Sequence, residues 1–200
     1  MSHTTGFVRQ EIDLPGGPLH VLQPSDAAEL PDDGPVEWAP LVPYWSVLWR
    51  SGVALARELA LAPLTGLRVA ELGCGLGLPS LVAARGGASV LATDEDEEAL
   101  GLLERNALEN GVAVETARVE WDAAAELVER GPFDLILAAD VLYDPANAAP
   151  LRSLLPRLGR EVWLAEPGRS TAGDFVVESR RDWSVSSTRR DGIAIHRLVR

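Results

Sequence analysis

The 200-residue chain contains no lysine; all 18 of its basic residues are arginine. Without a lysine there is no Schiff-base former, so pyridoxal-phosphate and class I aldolase chemistries are excluded. The single cysteine, Cys74, permits no internal disulfide and suits a reducing compartment. No apolar run approaches the roughly 18 residues of a membrane span. The start, Met1-Ser-His-Thr-Thr-Gly6, has neither the basic nor the apolar segment of a signal peptide. A cytoplasmic protein with no membrane partner is expected. The three histidines, His3, His20 and His196, are scattered and have no ligand spacing, so no metal site is expected. Basic stripes are lacking as well, and the formal net charge is −12, which argues against a nucleic-acid partner.

What is present is an alternation of short apolar runs and helical patterns. Residues 7–22 suggest a hairpin around Pro15-Gly-Gly-Pro18, and residues 23–43 a proline-rich connector. Residues 46–61 predict a helix with an apolar face. From Leu67 onward, strands are expected at 67–72, 89–93, 112–119, 133–139 and 161–165, with helices at 78–85, 95–109, 123–130, 146–158 and 170–181. The tail, 183–187 and 193–199, alternates like two antiparallel strands about Asp191-Gly192. The expected fold is α/β: a doubly wound, mostly parallel seven-stranded sheet with helices on both faces, an antiparallel C-terminal hairpin and a small N-terminal β-hairpin extension. The division expected is 1–45 for the hairpin and connector and 46–200 for the main domain.

The turn after the first of these strands reads Glu71-Leu-Gly-Cys-Gly-Leu-Gly77. Glycines there let a backbone approach a nucleotide closely. A dinucleotide loop would place its third glycine three residues after the second, to seat a pyrophosphate on the helix N-terminus. Here Leu78 stands at that position. Glu71 would repel a diphosphate and would suit a phosphate-free ligand with a cationic amino group. The next strand ends in Asp94, an acid placed to accept both hydroxyls of a ribose; the competing reading is an N-cap of the following helix. Cys74, between two glycines, reads as a passive small residue.

Glu71-x-Gly-x-Gly-x-Gly77 followed by Asp94 resembles the first two motifs of seven-β-strand, class I S-adenosylmethionine-dependent methyltransferases. Three further segments narrow the resemblance: Pro43-Tyr-Trp-Ser-Val-Leu-Trp49, Trp121-Asp122 and Asp140-Val-Leu-Tyr143. Together they are similar to methyltransferase family 16, which includes protein lysine methyltransferases, and within it to the branch acting on the electron-transfer-flavoprotein β-subunit. The resemblance implies S-adenosyl-L-methionine as cofactor. Glu71, Gly73, Cys74, Gly75 and Gly77 would form the methionine-side loop, and Asp94 would hold the ribose. Trp121 would lie near the adenine, with Asp122 accepting from its amino group, and Trp49 would line the cofactor. Asp140 and Tyr143 would form the catalytic mouth where the methyl acceptor enters. Glu166-Pro-Gly-Arg169 is also family-like, without an assigned role.

A lysine acceptor is mostly protonated at neutral pH, since its reference pKa is about 10.4. Releasing the free amine at pH 7 costs roughly 4–5 kcal/mol. The expectation is that Asp140 orients the ammonium while Tyr44, Trp45, Trp49 and Tyr143 supply aromatic faces. The partner is a protein or small-molecule methyl acceptor, and the protein a monomer or small homo-oligomer. A small-molecule N- or O-methyltransferase is the alternative; a non-catalytic cofactor-binding partner and a nicotinamide oxidoreductase follow.

Overall fold

Phe7–Ile12 (β1) and Leu19–Pro24 (β2) pair as an antiparallel hairpin, followed by one helical turn, Ser25–Ala28 (α1). The computed structural model describes residues 6–28 and 43–200; His3 and most of the proline-rich connector lie outside the described residues. The main domain continues with Arg50–Leu59 (α2), Arg68–Leu72 (β3), Leu78–Arg85 (α3), Ser89–Asp94 (β4) and Glu97–Glu109 (α4). Glu115–Arg118 (β5), Ala125–Arg130 (α5), Leu135–Ala139 (β6), Ala148–Leu158 (α6), Glu161–Glu166 (β7) and Ser170–Ser179 (α7) follow. Ser184–Arg190 (β8) and Ile193–Val199 (β9) close the chain.

The seven-stranded sheet has the order β5-β4-β3-β6-β7-β9-β8. β3 to β7 are parallel, and β9 runs antiparallel to both β7 and β8. Parallel strands covered on both faces need apolar side chains on both, which β6 (Leu-Ile-Leu-Ala-Ala) provides. One core layer joins Leu55, Leu59, Leu81 and Leu103 under α2, α3 and α4. The other joins Ile136, Leu142, Leu151 and Phe175 under α6 and α7. The N-terminal hairpin shares the first layer through Ile12, Leu14, Leu19 and Val21. α4 holds β2 with side-chain amides: Asn106 Oδ1 accepts from the Leu22 N–H (2.7 Å) and Asn110 Oδ1 from the His20 N–H (2.9 Å).

The chain leaves β3 toward β4 and β5, then returns to the other side of β3 as β6. The carboxyl ends of β3 and β6 therefore flank a topological switch point, where α/β sheets open a crevice. That places the glycine loop after β3 beside the Asp140-x-x-Tyr143 turn after β6.

Two local expectations need correction. The helix predicted over 46–61 begins at Arg50; Tyr44–Ser46 is a 3-10 turn, and Val47 and Trp49 are extended. The Trp49 indole N–H donates to the Tyr44 carbonyl at 2.9 Å, which pins this segment as a loop. Trp45 thus lies in the 3-10 turn and Trp49 in extended chain just before α2. The helix predicted from Glu95 starts at Glu97, because Asp96 caps it by accepting from the Glu98 N–H (2.8 Å). The N-cap reading of Asp94 fails with it.

Candidate active site

All eleven residues singled out above line one cavity of about 530 Å³: Trp49, Glu71, Gly73, Cys74, Gly75, Gly77, Asp94, Trp121, Asp122, Asp140 and Tyr143. A volume of this size suits a small-molecule site.

One end of the cavity is formed by the glycine loop and two carboxylates. Gly75 has φ 49°, and its N–H donates to Asp94 Oδ2 at 2.9 Å. A Cβ there would stand 3.0 Å from the Trp45 carbonyl oxygen. Asp94 Oδ1 also accepts the Asp96 N–H (3.1 Å), so two backbone donors fix its orientation and leave each oxygen a further lone pair. Glu71 is almost fully buried at the N-terminus of α3, where its Oε2 accepts from the Ser80 N–H (2.9 Å) and hydroxyl. It satisfies one orphan N–H of the helix and faces its positive dipole end. Burial nevertheless pushes its carboxyl up to about 8, with the bonds from Ser80 opposing and the Asp94 charge adding. Burial raises Asp94 as well, against the Gly75 and Asp96 N–H groups. Cys74 is buried, its thiol raised by burial first and by the two acids next. A thiol of this kind is inert. At Gly77 a Cβ would strike Leu103 of α4.

The other end is side chain on side chain. Asp140 adopts φ 56°, a left-handed conformation that Asp tolerates better than most residues. Its N–H is anchored to the Ala165 carbonyl at 2.8 Å. The carboxylate is paired within the protein: Arg169 grips both oxygens, Nε to Oδ1 at 2.6 Å and Nη2 to Oδ2 at 3.0 Å. Burial raises the Asp140 pKa and Arg169 opposes the rise. The Arg169 pKa moves upward, chiefly through its bond to Asp140. Tyr143 packs on Tyr44 (ring centroids 5.0 Å), which packs on Trp49 (6.4 Å), so an aromatic wall borders the ion pair. Burial holds the Tyr143 phenol neutral by raising its pKa.

Arg169 is the residue that reading the sequence missed. It stands in the Glu166-Pro-Gly-Arg169 turn after β7, and that turn is built to aim it. Glu166 Oε2 accepts the N–H groups of Gly168 (2.5 Å) and Arg169 (2.9 Å), and its Oε1 lies 3.2 Å from His196 Nε2. Burial alone would raise Glu166; the bonds from His196 and the turn outweigh it, and its pKa falls below the usual value.

Among the described residues, Arg169 is the only lysine, arginine or histidine lining the cavity, and its charge is already matched by Asp140. The remaining polar lining is rich in carboxylates: Glu71, Asp94, Glu95, Asp96, Glu120 and Asp122. Such a lining rejects phosphates and fits a ligand carrying cationic and hydroxyl groups. Trp45 lines the same wall, and its buried indole N–H lacks an acceptor among the described residues. The methionine carboxylate of S-adenosylmethionine could satisfy such a donor, so the lining fits this cofactor.

A family model described as lysine methyltransferase matches residues 45–163. The chain belongs to that family. It is 34% identical over 169 residues to protein N-lysine methyltransferase METTL21A of Danio rerio, covering 78% of this chain and 77% of that protein. It is 36% identical over 145 residues to the electron transfer flavoprotein beta subunit lysine methyltransferase of Xenopus laevis, covering 68% of this chain and 56% of that one. The chain thus spans little more than half the length of the second relative. Among solved structures, magnesium protoporphyrin IX methyltransferase of Synechocystis PCC 6803, with bound SAM, superposes with a TM-score of 0.58 at 21% identity. That match covers 76% of this chain and 78% of that one, and shows the shared fold. Family and fold make the chain an S-adenosylmethionine-dependent methyltransferase. No helix among the described residues is long and apolar enough to cross a membrane.

Proposed function

We propose that the chain transfers a methyl group from S-adenosylmethionine to the side-chain amine of a lysine in a protein. The observation that carries this is the juxtaposition of the carboxylate-lined end with a desolvated, aromatic-walled ion pair at the other. The similarity to two protein lysine methyltransferases supports it. When bound, the cofactor supplies an electrophilic methyl group on a sulfonium. Asp94 would accept from the ribose hydroxyls with the lone pairs that its backbone donors leave open. Glu71 would face the methionine ammonium, and the Gly73–Gly77 backbone would let that part of the ligand lie close to β3. Trp121 and the exposed Asp122 would border the adenine.

At the acceptor end, Asp140 orients the incoming amine through the lone pairs that Arg169 does not use. Arg169 has a second effect. Its charge offsets the pull of Asp140 on an ammonium, so the lone pair is freed at less cost than beside an unpaired carboxylate. Tyr44, Trp49 and Tyr143 exclude water and offer π faces to the cationic groups. Solvent can take the proton, so no strong protein base is needed.

The test is transfer of a labelled methyl group into a cell lysate, followed by acid hydrolysis of the precipitated protein. Label is expected in methyllysine. Label confined to methylarginine, or to compounds that do not precipitate, would overturn the lysine assignment.

A further inference from the structure

The charge of this acidic chain is distributed unevenly. Residues 169–200 hold seven of the 18 arginines against four acidic residues, whereas the rest of the chain is strongly acidic. β8 is the last strand of the sheet, and its outer edge pairs with nothing among the described residues. It runs seven residues, is mostly exposed, and carries Ser184, Ser186, Ser187 and Thr188 before ending in Arg189-Arg190. Natural edges are commonly blunted by charged side chains, proline or bulges; here charge is confined to Arg189-Arg190, and residues 184–188 carry only small side chains.

The arginine end of β8 lies at the active-site end of the sheet. Arg189 is level with Ala194 of β9, which is level with Glu166 of β7, the first residue of the turn that aims Arg169. Arg189 Nη1 is 3.8 Å from the Cβ position of Gly168 in that turn. From Asp140 to this edge is three strand spacings, about 14 Å. Consecutive side chains alternate faces, so Arg189 and Arg190 straddle the strand end. Arg189 and Arg190 make long ion pairs with Glu166 (3.9 Å) and Glu58 (3.6 Å), yet their side chains stay 58% and 75% exposed and keep donors turned to solvent. Arg50 ties the hairpin turn to α2 by donating to the Asp191 carbonyl (2.8 Å).

Resting on the lysine reading above, we infer that β8 and its terminal arginines dock an extended, acidic segment of the substrate protein, which leads its lysine toward Asp140. An added strand gains backbone hydrogen bonds from the open edge, and acidic side chains find Arg189 and Arg190 as it approaches the mouth. Nucleic acid would meet the same arginines but also the acidic remainder of the surface, which disfavours it.

The test uses two fluorescein-labelled peptides of about twelve residues, each with one central lysine, flanked by Glu and Asp in one and by Ala in the other. Binding is followed by anisotropy at low salt, with wild type and with Arg189→Glu/Arg190→Glu. The acidic peptide is expected to bind wild type about tenfold tighter than the neutral one, and to lose that advantage in the variant. S-adenosylhomocysteine affinity, expected unchanged, checks that the variant is folded. Equal binding of the two peptides to wild type, or an acidic preference that survives in the variant, would overturn the docking surface. So would single-stranded RNA that outcompetes the acidic peptide and depends on the same arginines. Methyl transfer into the peptides separates this inference from the function itself. Docking without transfer contradicts the lysine reading alone, and transfer without acidic preference contradicts the docking alone.

Discussion

At the cofactor end of the cavity, carboxylates are held by backbone; at the acceptor end, a carboxylate is held by another side chain. Asp94 takes the N–H groups of Gly75 and Asp96, and Glu71 takes the N–H of Ser80 with its hydroxyl. Asp140 instead depends on Arg169, and Arg169 on a turn braced by Glu166. Backbone-held groups are set once the strand–loop–helix unit folds. A side-chain pair adds an element that substitution can remove without unmaking the loop beside it. The cofactor end should therefore fail through lost binding, and the acceptor end through lost transfer.

Arg169→Ala should break the contrast most strongly. It leaves a buried carboxylate without its partner, a change that costs about 3–5 kcal/mol of stability, and methyl transfer should fall with it. Thermal melting and transfer assays would show both losses, while cofactor affinity of the folded fraction stays near wild type. A cofactor affinity that fell in proportion would mean that the two ends are one unit.

Gly77→Ala should come next. It forces a side chain into φ 74° and against the buried Leu103, with an expected cost of about 2–3 kcal/mol. Denaturant unfolding would register this as a lower midpoint; an unchanged midpoint would show that the loop relaxes. Asp94→Ala should weaken S-adenosylmethionine binding by about 1–3 kcal/mol in calorimetry. Unchanged affinity would remove Asp94 from the ribose role.

The smallest effect is a slope with pH. The folded Glu71 carboxyl keeps its proton up to about pH 8, whereas its ordinary value is 4.5. The folded state thus binds more protons than the unfolded one, so this residue costs stability progressively as pH rises from 4.5 to 8. A cationic ligand favours the ionised form and must displace that proton. Cofactor affinity should therefore rise with pH below 8 and level off above it, and Glu71→Gln should flatten the slope. Proton release on binding, measured in two buffers, checks this; no release at pH 7 would contradict it.

These two ends also differ in how far the sequence foretells them. The order of strands and helices is legible because apolar runs and glycine stops alternate through 67–165, and the sheet follows from that alternation. The cofactor end is legible because Glu71, the glycines and Asp94 occur at strand ends, where the switch point must gather them. Asp140 and Tyr143 are legible as positions, since β6 ends there. Their chemistry is not, because nothing in Asp140-x-x-Tyr143 says that a residue 29 positions on will occupy the carboxylate. The Trp45–Trp49 segment misleads for a related reason. Its spacing looks helical, yet an indole bond to the Tyr44 carbonyl holds it as a loop.

The most direct test of the two-ended cavity is Asp140→Asn, assayed for S-adenosylmethionine affinity and for methyl transfer in the same preparation. Affinity is expected to stay within about twofold while transfer falls on the order of a hundredfold, as for a residue acting only on the acceptor. Undiminished transfer, or equal loss of both quantities, would contradict it.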